Sequence, residues 1–520
     1  MKKNPQSTLP LTPRLKNFHF VLLLILQLLI VHGSAVAAAK TKKSTKKTAV
    51  KKTSEIVLPT VAKPSSPTLS LDEFLNQVKG QSVGYLAAEQ NAEAYAALKK
   101  KADLVTAINL VTSVEEGFAQ QNQALQIFRY TTVYTRTKKV ALTQTSNLGV
   151  ETSVGYTLLN SAYKGLNTST SANPSLAQNN YQATPVLQVA LPLWRNLFGS
   201  STRASKDYTQ FTNEVQRLNA KATSMQSLVA SEQSYWQLVA TQKITKIQEN
   251  ALDSAQQILA YVTKREKMNL GDKGDVLQAR ALVESKNLLL KQAQNDEKIA
   301  VRNFNKNRFL SSDRVAEKLV DFDLKYLKNF TITQEKIGSR FDVKSSEASM
   351  HATVANAKID EENAKPSLKL YGSYAENQVE RSTAQALSSS FDRRGKSGTI
   401  GLQLSMPINI GLTSDIREGA IKSASAARMQ YRQKIIEEQN DWGNLVQNLL
   451  AYQENLKLAE AIEAAQKAKL LNERNLLRQG RTTTYQVLLF EQDYSNAQLT
   501  VVQIANQLLS LIAQQKLYQN

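Results

Sequence analysis

Two hydrophobic periods alternate along the chain. From Leu148 the apolar residues Leu148, Val150, Val154, Tyr156 and Leu158 share one face, while Gly149, Glu151, Ser153, Gly155 and Thr157 take the other. After the polar stretch NSAYKGLNTSTSANPSLAQNN, the alternation resumes with Leu187, Val189, Leu191 and Leu193 against Gln188 and Ala190. Period two marks a strand with one apolar face, and two such runs around a polar loop predict a hairpin. A second hairpin is predicted from Leu368, Leu370, Gly372 and Tyr374, the loop NQVERSTAQALSSSFDRRGKS, and then Ile400, Leu402, Leu404, Met406 and Ile408. Each strand is about ten residues, the length that crosses an outer membrane when tilted. The apolar faces of both hairpins are therefore expected to meet lipid. A soluble sheet with one wet face is the rival reading. Hairpin loops of about twenty polar residues, only four strands in a helical chain, and Trp194 at a strand end for an interfacial girdle weigh against it.

Between the hairpins the period changes. Proline is barred from helix interiors and central strands, and past Pro67 it occurs only at Pro174, Pro185, Pro192, Pro366 and Pro407. From Ser200 to Leu270 there is neither Pro nor Gly, and the tract is rich in Ala, Leu, Gln, Lys and Glu. A helix of that length runs about 105 Å. It is interrupted at NLGDKGDVLQA, Asn269–Ala279, where Asn and Gly tolerate positive φ and can end one helix and reverse the chain into the next.

The pattern occurs twice. LQVALPLW closes the first strand pair and LQLSMPIN the second, with Pro192 and Pro407 in equivalent places. Asn269 follows Pro192 by 77 residues and Gly480 follows Pro407 by 73, and from Gly480 the chain reads GRTTTYQVLLFE. A first repeat is expected over 69–325, with a strand pair at 145–194 and helices over 198–310. A second is expected over 326–520, with a strand pair at 366–409 and helices over 411–518. Four strands cannot close a barrel, and an open edge in lipid leaves backbone groups unsatisfied. The strands must then be shared among copies of the chain in a symmetric assembly.

Composition narrows the chemistry. Lys2, Lys3, Arg14 and Lys16, the apolar run Val21–Val31 and the small residues of GSAVAAAK predict a cleaved export signal over 1–39. The net charge of +21 suggests a nucleic-acid partner until it is located. Twelve Lys/Arg against one Glu fall within residues 1–63, so half of it belongs to the signal and to a Lys/Ser/Thr/Pro-rich linker over 40–68. No nucleic-acid partner is expected. There is no cysteine, and beyond the signal His351 is the only histidine, so disulfides, His-clustered metal sites and His-based triads are not expected. No Gly-rich phosphate loop appears either. The expectation is a non-enzyme without cofactor or metal.

The twofold helix–strand–strand–helix–helix plan, the segment AKPSLKLYGSY that opens the second hairpin, the Leu-x-Pro strand exits and the two turn segments resemble the TolC-like outer-membrane efflux proteins over residues 69–520. The resemblance implies a mainly α fold with a membrane β-barrel: a homotrimer whose twelve strands, four per chain, form one barrel, continued by a long α-helical barrel in the periplasm. It implies a passive exit duct of a tripartite efflux or type I secretion system, docked by its periplasmic tips onto a periplasmic adaptor (membrane fusion) protein and, through it, an inner-membrane pump. The family's tip commonly reads G-L-x-x-x-x-D-V-L. By position this marks Asn269, Leu270, Gly271 and Asp275 in the first repeat and Gly480, Arg481 and Gln486 in the second as adaptor-docking residues. Asn269 stands where Gly is usual, and Arg481 where Leu is usual. Some members narrow the entrance with carboxylates six and nine residues past the second-repeat Gly. Here those positions are Gln486 and Leu489, which leaves Asp272 and Asp275, with Glu491 and Asp493 nearby, as the remaining acidic candidates. Solvated or helix-capping carboxylates are the simpler reading of these.

A second class of function also fits long helices: a periplasmic or surface coiled-coil scaffold with no pore. The apolar strand face, Ile400 to Ile408 especially, discriminates, because a solvated scaffold would not expose it.

Overall fold

The computed structural model of the chain describes residues 68–120, 132–164, 179–392 and 395–519. The expected export signal and all but the last residue of the basic linker lie outside the described residues. The described residues form two compact units, one within 102–206 and 355–421, the other within 68–101, 207–354 and 422–519. Each unit draws on both sequence repeats, because strands of the first repeat pair with strands of the second.

The first unit is a sheet. Its long strands are β2 (Asn109–Gln120), β3 (Thr132–Thr145), β4 (Glu151–Lys164), β5 (Asn180–Pro192), β7 (Ser367–Glu376) and β9 (Lys396–Ser405). They pair antiparallel in the order β2-β3-β4-β5-β7-β9, with the short β8 (Val379–Glu380) beside β5. The remaining two strands, β1 (Thr68–Leu69) and β6 (Lys318–Leu319), make a short parallel pair in the other unit.

The expected four strands per chain are corrected: among the described residues six long strands form one sheet, and the added hairpin is β2–β3. Its pattern is blurred by paired residues of like kind, Leu110-Val111 and Glu115-Glu116 in β2 and Lys138-Lys139 in β3. β3 nonetheless carries Thr, Val or Tyr at eight of its fourteen positions, a strand composition without a clean strand alternation.

Two adjacent rows of partners define the faces. Leu110, Leu142, Val154, Leu187, Tyr374 and Gly398 run across the six strands as one row, and Asn109, Thr143, Ser153, Gln188, Ser373 and Thr399 as the next. Neighbouring residues of a strand point to opposite sides, so these rows set an apolar face of β4, β5, β7 and β9 against a more polar one, while on β2 and β3 the same face also carries Glu116, Arg136 and Lys138, the first two ion-paired at 2.6 Å. Val189, Leu191, Leu368, Leu370, Ile400, Leu402 and Leu404 share the apolar face by the same registers.

Several residues expected on lipid-facing strands lie elsewhere. Leu148 and Val150 belong to the turn between β3 and β4, where Gly149 takes φ 79° and donates to the Ser146 carbonyl at 2.9 Å. A Cβ at Gly149 would come within 2.6 Å of the Asn196 side chain, so the turn needs glycine on both counts. Met406 follows the end of β9. Tyr156 is on the apolar face but only 3% exposed, because the loop between β7 and β9, expected as a polar hairpin loop, folds a short helix α7 (Thr383–Ser389) over it. Tyr156 and Ala183 pack there with Ala386, and the Phe391 ring lies 6.4 Å from that of Tyr156.

Helices dominate the second unit. α1 (Leu71–Gln81) opens with a capping box between Ser70 and Glu73, and α2 (Val83–Leu98) follows. α3 (Ser200–Lys267) and α8 (Ile410–Arg478) have 68 and 69 residues, each about 100 Å long. α4 (Lys273–Asn307) and α9 (Thr484–Gln515) follow them after short turns, while α5 (Leu324–Asn329) spans the boundary of the two repeats and α6 (Phe341–Asn363) leads into the strands of the second. The main core is aromatic at its centre. Phe74 stacks on Phe304 at 4.4 Å between ring centroids and lies 5.6 Å from Tyr235. The Tyr235 hydroxyl donates to the Leu69 carbonyl at 2.8 Å and accepts from the Val320 N–H at 3.0 Å, which ties β1 and the chain after β6 to α3. Lone His351 stacks on Phe211 at 5.0 Å.

Candidate functional site

The two turns singled out in the sequence have the same backbone. α3 ends with Asn269 at φ 58°, its N–H bonded to the Glu266 carbonyl, and the Leu270 N–H returns to the Arg265 carbonyl at 2.9 Å. α8 ends with Gly480 at φ 70°, its N–H bonded to the Leu477 carbonyl, and the Arg481 N–H returns to the Leu476 carbonyl at 2.9 Å. Both are Schellman closures with the left-handed residue at the same place. Three residues later each chain starts a new helix on a side-chain cap: Asp272 accepts from the Gly274 N–H at 2.9 Å, and Thr483 from the Gln486 N–H at 3.3 Å. The repeat inferred from the sequence thus recurs in the closing bonds of the two turns, while the caps differ by one residue in the N–H they bind.

The two turns also lie side by side. The Thr484 hydroxyl donates to the Asp275 carboxylate at 3.3 Å, and the Tyr261 hydroxyl to the Leu477 carbonyl at 3.3 Å. Beneath them α3, α4, α8 and α9 share a small core of Ile258, Val262, Ala279, Leu477, Val487 and Phe490, with neighbours from the same helices. Behind that core, Arg474 bridges α8 to α9 at Glu491 and to α3 at the Ser254 hydroxyl, 3.0 Å away. Lys286 of α4, only 2% exposed, donates to the Gln492 side chain at 2.6 Å. Burial pushes its ammonium below the usual lysine range, partly offset by Glu491.

What remains outside this packing is the tip surface. Leu270 is 64% exposed, and Asn269, Gly271, Asp272, Gly480 and Arg481 are also exposed. Asp275 and Gln486 are half-buried, the first engaged by Thr484; Leu489 is exposed. The Arg265 guanidinium donates to the Leu270 carbonyl at 2.8 Å, which braces the first turn. Lys264, Arg265 and Lys267 in the last turn of α3 and Arg478 in that of α8 complement the negative helix ends. The tip is therefore a pair of turns carrying Leu270, with Met268, Tyr485 and Leu489 also exposed nearby, among basic groups. Of the acidic candidates, Asp272 caps α4, Glu491 pairs with Arg474, and Asp493 lies 3.5 Å from Lys469.

Among the described residues no helix is long and apolar enough to cross a membrane. On the strands of the first unit, exposed apolar side chains include Ile400 at 80%, Leu402 and Leu404.

Comparison with known proteins points the same way. Residues 332–519 match the outer membrane efflux protein family. No curated protein sequence matches the chain. Among solved structures, the outer membrane protein VceC of Vibrio cholerae is similar at TM-score 0.59 and 15% identity, over 85% of this chain and 94% of that one. The Campylobacter jejuni CmeC outer membrane channel gives TM-score 0.60 at 15% identity, over 86% and 85%. The Neisseria gonorrhoeae MtrE outer membrane channel, in its open state, gives 0.59 at 14% identity, over 86% and 88%. The fold is that of these outer-membrane channels.

Proposed function

We propose that this chain belongs to the outer membrane efflux protein family and is the passive exit duct of a tripartite efflux or type I secretion system, assembled as a homotrimer in the outer membrane with its long helices in the periplasm. The observation that carries this reading is the pair of equivalent Schellman turns held together by Thr484 and Asp275. A scaffold without a pore has no need of two matched, rigid, exposed turns presented as one surface. A duct that must be recognised by a periplasmic adaptor does.

In this reading Asn269, Leu270 and Gly271 with Gly480 and Arg481 meet the adaptor, and the inner-membrane pump is reached only through it. Leu270 is the apolar anchor, the kind of side chain that gains most when a partner removes it from water. Arg481, in place of a second leucine, gives the other half of the tip a polar, charged contact. Gln486 and Leu489 supply no carboxylate, so an acidic ring at those two positions does not govern the entrance. The apolar strand face meets lipid and the polar face lines the exit.

The chain has no cysteine, so one introduced cysteine is a unique handle. Photo-crosslinking in cells from Leu270→Cys and from Arg481→Cys is expected to capture a periplasmic membrane-fusion protein. Capture from neither position, in protein recovered from outer membranes, contradicts the docking surface.

A further inference from the structure

Six strands per chain change how copies must meet. β2 and β9 are the two free edges of the sheet, and they are its most exposed strands along nearly their whole length. On each, alternate N–H and C=O groups point away from the only neighbouring strand, a state that lipid does not tolerate. The sheet is antiparallel throughout and has an even number of long strands, so β2 and β9 run in opposite directions. A second copy placed edge to edge then pairs its β2 with β9 antiparallel, as membrane barrels require. The faces agree as well: the apolar row that begins at Leu110 in β2 reaches β9 on the side of Ile400, Leu402 and Leu404. Joining the edges puts Leu110 and Val114 on the same face as Ile400, Leu402 and Leu404, while Lys138 and the Glu116–Arg136 ion pair occupy that face of the added hairpin beyond Leu142 and Val140.

We infer that the seam between copies runs between β2 and β9, and that a trimer closes an eighteen-stranded barrel in place of the twelve strands that four per chain would give. This rests on the outer-membrane trimer reading above. Barrel diameter grows roughly linearly with strand number, so this barrel is about half again as wide as a twelve-stranded one, in the range where membrane barrels keep an aqueous channel. The outward pair Phe118 and Tyr134, with ring centroids 6.3 Å apart, places aromatics of the added hairpin where an interfacial girdle sits.

The test uses the full chain in outer membranes. One cysteine replaces Leu402 on β9, and a second replaces Leu110, Thr112 or Val114 on β2 in turn, or Val154, Tyr156 or Leu158 on β4 as the competing edge. A maleimide crosslinker shorter than about 10 Å joins neighbouring strands but cannot cross the five strand spacings, about 24 Å, that separate β2 from β9 within one chain. Covalent dimers and trimers from at least one β2 pair, and none from the β4 pairs, are expected. Oligomers from β4 pairs, or from neither set in protein recovered from outer membranes, overturn the seam. A soluble monomer defeats the outer-membrane reading itself. Independently, cryo-electron microscopy of the detergent-extracted oligomer is expected to show eighteen strands around the barrel; twelve overturns the inference.

Discussion

Asn269 and Gly480 occupy the same place in two copies of one turn, with φ of 58° and 70° and matching return bonds of 2.9 Å from the residues that follow them. The left-handed backbone is easy for glycine, tolerable for asparagine and strained for other residues.

A Cβ at Gly480 meets nothing within 4 Å, so the cost of Gly480→Ala is backbone strain alone, about 1 kcal/mol. Asn269→Gly is expected to leave stability within about 0.5 kcal/mol of the parent. Gly480→Val adds β-branching to the same strain and is expected to loosen the α8–α9 turn further. Hydrogen exchange of the Arg481 amide, which returns to Leu476, reads the difference directly.

The aromatic centre of the helical unit has a larger effect. Phe74 is fully buried between Tyr235 and Phe304, and Phe74→Ala is expected to cost about 3–5 kcal/mol in thermal unfolding. Tyr235→Phe keeps the ring and removes the hydroxyl that serves Leu69 and Val320, for about 1–3 kcal/mol. The smaller change should free β1 while leaving the helices intact.

Acid sensitivity has a named source. Hydrogen bonds from Arg217, with Lys99 3.0 Å away, outweigh burial and hold the Glu214 carboxyl at about 2, below its ordinary 4.5. A depressed folded-state value contributes stability that is fully present above the unfolded value and is lost as pH falls through the folded one. Melting temperature measured from pH 7 to pH 2 is expected to fall below about pH 4.5 in the parent. Glu214→Gln should start lower and fall less over that window.

On the strand face, Leu402→Arg and Leu404→Asp place charge where lipid is expected, at about 2–4 kcal/mol for an arginine near the membrane midplane. Outer-membrane fractionation is expected to lose both variants. The same charges at Gln403 and Thr399, on the polar face, should leave assembly intact.

Much of this was legible in the sequence where one physical rule acted alone. Proline and glycine placement located the turns, and period two located β4, β5, β7 and β9, because one face of each is apolar and the other polar. The β2–β3 hairpin escaped for a definite reason: like residues fall side by side at Leu110-Val111, Glu115-Glu116 and Lys138-Lys139, so alternation fails although the Thr and Val content of β3 is that of a strand. Tyr156 shares a face with Val154 and Leu158 as the alternation implies, but no local pattern says that α7 folds over it. At the tip, the sequence marked the residues and their spacing, while the bond between Thr484 and Asp275, 209 positions apart, needs the packed helices to appear.

The central claim is that this chain makes a pore. Protein extracted from outer membranes in detergent, sized as an oligomer and added to planar lipid bilayers, is expected to give discrete, reproducible conductance steps, which charged substitutions at Leu402 and Leu404 abolish. A monomer that stays soluble without detergent and leaves bilayers silent would contradict it.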